Sequence, residues 1–120
     1  MATLLVVDDE WAIADWLDAI LSDAGHRVLV ASNGKKALET LENEAVDLVL
    51  TDFMMPQLDG PGLVNAMKAD PRTKGLQVIV MSSLSEPIVQ ERLDGHAGFL
   101  RKPFREQELL ELLAKVLGAR

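Results

Sequence analysis

Short apolar runs alternate with amphipathic stretches five times along the 120 residues. Leu4-Leu5-Val6-Val7 is continuous and partly β-branched, the pattern of a strand buried on both faces. From Trp11 to Leu21 the apolar residues fall at helical spacing, and Gly25 stands where a helix commonly stops. Val28 to Ala31 predicts a second strand. Ser32, Asn33 and Gly34 offer caps for a helix carrying Ala37, Leu38 and Leu41. Val46 to Leu50 predicts a third strand, interrupted only by Asp47. Asp59 can cap a helix with Pro61 in its first turn, bearing Leu63, Val64 and Met67 and closed by Asp70-Pro71. Val78 to Met81 predicts a fourth strand, and Ser85 can cap a short helix with Pro87 in its first turn, running to about Leu93. Phe99-Leu100 is the centre of a fifth strand, and Arg105 to Leu117 is the last helix.

Strands and helices that alternate through short connections imply a parallel sheet with helices on both faces. No linker, internal repeat or low-complexity tract divides the chain, so residues 1–120 read as one domain. In such sheets ligands bind beyond the carboxyl ends of the strands. The first strand runs into Asp8-Asp9-Glu10, and the third runs through Thr51 into Asp52. The fourth ends in Ser82-Ser83, and the fifth leads to Arg101-Lys102-Pro103. Taken singly, each of these is an ordinary turn former, cap or solvated side chain. Their convergence on one sheet edge changes the picture, because independent caps need not gather there. Carboxylates about 5 Å apart repel by about 3 kcal/mol per pair at an effective dielectric near 20, and a cation offsets that repulsion. Oxygen donors alone select a hard ion, Mg²⁺ or Mn²⁺. One carboxylate can then attack phosphorus, while metal, ammonium and hydroxyl neutralise the transferring oxygens.

Composition narrows the alternatives. Lys and Arg total 12 against 19 Asp and Glu, a net charge of −7 that argues against nucleic acid and anionic membrane surfaces as partners. Cysteine is absent, which removes disulfides, thiolate metal sites and a Cys nucleophile. No apolar run approaches a membrane span and no signal-peptide pattern opens the chain, so the expected location is the cytoplasm. A flavin or dinucleotide binder would need a Gly- or Ser/Thr-rich loop after the first strand, where Asp8-Asp9-Glu10 stand instead. A metal-dependent phosphatase with an Asp nucleophile usually carries a second acid two residues on, and that position is Met54.

The residues match a known family at this point. Leu5-Val6-Val7-Asp8-Asp9-Glu10, Asp47 through Asp59-Gly60, Val78 through Ser83, and Phe99-Leu100-Arg101-Lys102-Pro103-Phe104 together resemble the response regulator receiver domains of two-component signalling. The stretch Asp52-Phe53-Met54-Met55-Pro56-Gln57-Leu58-Asp59-Gly60 is the most specific of the four. The resemblance spans nearly the whole chain. It implies a flavodoxin-like (βα)5 three-layer α/β sandwich with parallel strand order 2-1-3-4-5. Asp52 then resembles the phosphoacceptor, Asp9 the direct metal ligand, and Asp8 a carboxylate reaching the metal through water. The backbone carbonyl of Met54 would be a further ligand of Mg²⁺ or Mn²⁺. Lys102 resembles the ammonium that pairs with the acceptor and then with the phosphoryl group, Ser82 the switch hydroxyl, and Phe99 the switch aromatic. The Lys102-Pro103 bond is where the family typically has a cis peptide.

The implied activity is phosphoryl transfer from a phosphohistidine of a histidine kinase or phosphotransfer protein to Asp52. The implied chemistry extends no further than the domain's own phosphorylation and dephosphorylation. Output would pass to a protein target, or to a second copy, through the fourth helix, fifth strand and last helix. A receiver-fold module that interacts without phosphorylation is the alternative, but it should have lost some of Asp9, Asp52, Ser82 or Lys102. The stretch from Ser82 to Lys102 is about two residues shorter than in many members, so a short or shifted fourth helix is expected. Gly98 stands where an acid often precedes the aromatic, and Ser83 replaces a frequent Ala. Leu109, Leu110, Leu112, Leu113, Val116 and Leu117 cover about 160° of the last helix at 100° per residue, a face expected to pack on the sheet. Trp16 is expected in or near the core, and Trp11 partly exposed near the first helix, where kinases dock in the family. His26 and His96 lie apart in sequence and are expected to have no metal role.

Overall fold

The computed structural model describes residues 1–93 and 95–118; Asp94, Ala119 and Arg120 of the expected 1–120 domain lie outside the described residues. The elements are β1 (Thr3–Val7), α1 (Trp11–Asp23), β2 (Arg27–Ala31), α2 (Gly34–Asn43), β3 (Leu48–Asp52), α3 (Gly60–Lys68), β4 (Gln77–Ser82), α4 (Glu86–Gln90), β5 (Gly98–Arg101) and α5 (Glu106–Gly118). The five strands form one parallel sheet in the order β2-β1-β3-β4-β5, as the resemblance implied.

Alternate residues of the central strands feed two apolar layers. Leu4 and Val6 of β1, Leu48 and Leu50 of β3, and Ile79 and Met81 of β4 face α1 and α5. Leu5, Val7, Val49, Val78 and Val80 face the opposite layer with α2, α3 and Val89 of α4. This explains why the central strands read as continuous apolar runs: both faces are covered. Leu109, Leu113 and Val116 of α5 are buried, and Leu110, Leu112 and Leu117 pack against the same cluster. The broad apolar face of that helix is therefore used within the fold.

Several ends differ from the sequence expectation, each for a local reason. β3 starts at Leu48 and runs to Asp52; just before it, Asp47 ties to Thr3 twice, its N–H donating to the Thr3 carbonyl at 2.8 Å and its Oδ2 accepting the Thr3 N–H at 2.7 Å. Asp52 is thus a strand residue held in the sheet. α3, by contrast, stops at Lys68 with Ala69 as its C-cap, just before the Asp70-Pro71 pair expected to close it. α4 ends at Gln90, three residues short of Leu93, and its N-cap Ser85 makes no side-chain cap bond. The caps at Asn33 and Asp59 form as expected, with Lys36 N–H donating to Asn33 Oδ1 at 2.8 Å and Gly62 N–H to Asp59 Oδ1 at 2.9 Å. Gly25 follows α1 at φ +96°, a conformation L side chains rarely adopt. Trp16 is not a core residue: it is 41% exposed and leans on Phe104, ring centroids 5.8 Å apart. The buried face of the helix is made by Ala14, Leu17, Ile20 and Leu21, and Trp16 lies off it.

Gly60, the first residue of α3, packs on the end of β3. A Cβ there would sit 2.9 Å from the Asp52 carbonyl oxygen and 3.1 Å from Phe53 Cα, both backbone atoms with little freedom to yield. Gly60→Ala should therefore lose about 1–3 kcal/mol of stability, read as a lower midpoint in urea with an unchanged slope.

Candidate functional site

Register brings the polar residues together. Val7 pairs with Thr51, which sets Asp8 level with Asp52 on the neighbouring strand. Asp52 pairs with Met81, which places Ser82 one residue beyond it. Ser82 pairs with Arg101, and Lys102 N–H donates to the Ser82 carbonyl at 2.8 Å. Four strands thus deliver two aspartates, a hydroxyl and an ammonium to one edge. The Lys102-Pro103 peptide is cis, as the resemblance implied.

The Lys102 Nζ stands 3.2 Å from Asp8 Oδ2 and 3.2 Å from Asp52 Oδ1. Asp8 and Asp52 are both buried. The second Asp8 oxygen accepts the Glu10 N–H at 2.9 Å, and Asp52 Oδ1 also accepts the Phe53 N–H at 3.0 Å. Ser82 is buried, and its Oγ accepts the Leu84 N–H at 3.0 Å. Burial pushes the Asp52 carboxyl up to about 6, and the Asp8 charge adds to the rise; Lys102 and the Phe53 N–H pull the other way. Burial works to lower the Lys102 ammonium, but the two carboxylates outweigh it and its net direction is upward.

Oxygens of Asp8, Glu10 and Asp52 lie within 4.8 Å of one another, the described residues' group of this kind. An all-oxygen set with repelling charges and a carboxyl already strained towards protonation fits a hard divalent cation. Asp9, expected as the direct ligand, is exposed and is not among the three that converge. Glu10, given no role from the sequence, does bring an oxygen into this group, and its place in the acid run after β1 was the available signal. The Met54 side chain is 63% exposed beside the site. Phe99 is half-buried in the second apolar layer, 6.5 Å from His96 between ring centroids. The histidines sit elsewhere: His26 Nδ1 accepts the Ala2 N–H at 3.1 Å, and His96 Nε2 meets Glu86 Oε2 at 3.0 Å. Trp11 is 78% exposed. A groove with almost wholly apolar walls, formed by Ile13, Trp16, Pro103 and Phe104, runs up to Lys102 and Ser83. Sequence reasoning did not find it, because its walls come from α1 and from the segment after β5.

Comparison with known proteins agrees with this arrangement. The family model described as response regulator receiver domain matches residues 4–114. Protein PilH of Pseudomonas aeruginosa is 33% identical over 120 residues, covering 98% of this chain and 99% of that protein. The chemotaxis response regulator CheY4 of Vibrio cholerae superposes with a TM-score of 0.91 at 30% identity, over 97% of this chain and 98% of that one. The receiver domain of the sensor histidine kinase PA1611 from Pseudomonas aeruginosa, solved with a magnesium ion coordinated in its active-site cleft, gives a TM-score of 0.87 at 25% identity, over 98% of each chain. The chain spans about half the length of the first curated relatives it matches. No helix among the described residues is long and apolar enough to cross a membrane. With the expected sheet order, the acid cluster at its edge and a family match over nearly the whole chain, this protein belongs to the response regulator receiver domains of two-component signalling.

Proposed function

We propose that Asp52 is the phosphoacceptor of this receiver domain and takes its phosphoryl group from a phosphohistidine on a histidine kinase or phosphotransfer protein. The observation that carries this reading is the pair of 3.2 Å contacts from one ammonium to two buried carboxylates on neighbouring strands. A divalent ion, Mg²⁺ or Mn²⁺, would be held by Asp8, Asp9, Asp52 and the Met54 carbonyl, with Glu10 as a further donor, and would supply charge neutralisation at the phosphoryl oxygens. An ionised Asp52 oxygen attacks phosphorus, the P–N bond breaks, and the imidazole leaves with its electron pair. Lys102 holds the acceptor in place and then follows the charge onto the phosphoryl group. Ser82 rotates away from Leu84 N–H to donate its hydroxyl proton to a phosphoryl oxygen. The space it leaves admits Phe99, which alters the face made by α4, β5 and α5. The product adds about two negative charges, and they favour one of two existing states.

The groove of Ile13, Trp16, Pro103 and Phe104 is the face on which the phosphohistidine partner docks, since it is apolar, open and shares Lys102 with the acceptor site. Output runs to a protein target, or to a second copy, in the cytoplasm. Incubation with acetyl phosphate and Mg²⁺ tests the reading. A mass gain of one phosphoryl group is expected, and it should vanish with chelator and in Asp52→Asn. No gain at saturating donor and metal would instead favour a module that binds partners without phosphorylation.

The raised acceptor carboxyl has a consequence for stability. Between its ordinary 3.8 and about 6 the native state holds more protons than the unfolded chain, so stability falls as pH rises through that window. An asparagine does not titrate. Metal-free Asp52→Asn should be more stable than the unchanged protein at pH 7.5 by about 1–3 kcal/mol, and the gap should close towards pH 4. Added Mg²⁺ should raise the melting temperature of the unchanged protein alone.

Met54 stands two residues past Asp52, and Leu84 two past Ser82. Neither side chain can hold a hydrolytic water by hydrogen bonds. The double variant Met54→Asn, Leu84→Glu should lose its phosphoryl group at least about tenfold faster, measured as decay of the phosphorylated mass.

A further inference from the structure

α4 is the most lightly held helix of the fold. It spans five residues, and Val89 is its one buried side chain. A single turn of helix has little stability of its own. Two polar links from this segment reach other elements. At its start, Glu86 Oε2 meets His96 Nε2 at 3.0 Å. Just past its end, Arg92 donates to Asp59 Oδ2 at 3.2 Å, and its guanidinium carbon lies 5.6 Å from the centre of the Phe53 ring.

The second link touches the acceptor loop twice. Phe53 follows Asp52; its N–H is shared between Asp52 Oδ1 at 3.0 Å and the Met81 carbonyl at 2.9 Å, and its own carbonyl accepts the Gly60 N–H at 2.9 Å. Asp59 uses its other oxygen to cap α3. Arg92 therefore grips the residue that begins the loop after Asp52 and the residue that ends it. Ser82 and Phe99 take no part in these contacts.

We propose that Arg92 is a positioning residue that carries the state of Asp52 to α4 through Phe53 and Asp59, on a route separate from Ser82 and Phe99. The proposal rests on Asp52 being the phosphoacceptor. Forming a P–O bond at an Asp52 oxygen alters one of the two groups that share the Phe53 N–H and shifts that N–H towards or away from the Met81 carbonyl. The ring moves with its backbone, and Arg92 passes the shift to the turn after α4. The guanidinium is largely exposed, so its ion pair with Asp59 and its contact with the buried Phe53 ring are each weak, and the bias is about three- to tenfold. That size suits a population shift in an element with little else to hold it.

Amide hydrogen exchange and the Phe53 amide resonance test the route in the full chain. In unphosphorylated Arg92→Ala, exchange at Val89 and Leu93 should rise about three- to tenfold, the Phe53 amide should shift, and Arg92→Lys should restore both in part. His96→Ala loosens the other end of α4, so it should raise exchange and leave the Phe53 amide in place. Ser82→Ala, loaded with phosphoryl to the same extent by mass, should keep part of the α4 response, and Ser82→Ala with Arg92→Ala should lose it. Exchange within twofold of the unchanged protein in Arg92→Ala would overturn the proposal, as would a complete loss of the α4 response in Ser82→Ala alone. Absence of any phosphoryl uptake by the unchanged protein would overturn the acceptor reading and this route with it. Normal uptake with an unmoved α4 in Arg92→Ala would overturn the route alone.

Discussion

One ammonium between two buried carboxylates organises the working edge of this domain. Lys102 reaches Asp8 and Asp52 at the same 3.2 Å, from a strand that borders neither of theirs. Two carboxylates with oxygens within 4.8 Å of one another in a partly buried site would repel by about 3 kcal/mol without it. The contact also demands that β5 end at the right level, which the Lys102 N–H bond to the Ser82 carbonyl secures. The chemistry and the register of the sheet are therefore one constraint. A slip of β5 by one residue would turn Lys102 to the other face of the sheet.

The balance at Asp52 remains unfavourable even so. Its carboxyl sits near 6 because burial and Asp8 outweigh Lys102 and the Phe53 N–H. A site held short of neutral is one that gains from added positive charge. An added cation between these oxygens would relieve the same repulsion.

The opposite end of the working face is loosely built. The helices α1 and α5 each run 13 residues over a continuous apolar layer, whereas α4 has five residues and one buried side chain. Polar contacts at its two ends take the place of packing. His96 meets Glu86 through Nε2, and its Nδ1 has no partner among the described residues. An element held by a few directional contacts can open at lower cost than the central strands and the two long helices, which are buried in the core.

Much of this was legible along the chain. Apolar runs marked the buried strands because both faces of a parallel sheet are covered. Asn33 and Asp59 marked helix starts because their short side chains satisfy free backbone N–H groups. Asp8, Asp52, Ser82 and Lys102 could be placed at one edge, since topology puts every strand end there. What local sequence could not decide is direction and reach. Glu10 turns in towards Asp8 and Asp52 while Asp9 faces solvent. Trp16 lies on Phe104 at the rim of a groove and not in the core. Arg92 crosses from the turn after α4 to Asp59 and Phe53, 33 positions and more away. Periodicity and capping act within a few residues, so the sequence by itself determined the elements, their order and the chemical types at the sheet edge. Which of those side chains meet was decided only by packing between elements distant in the chain.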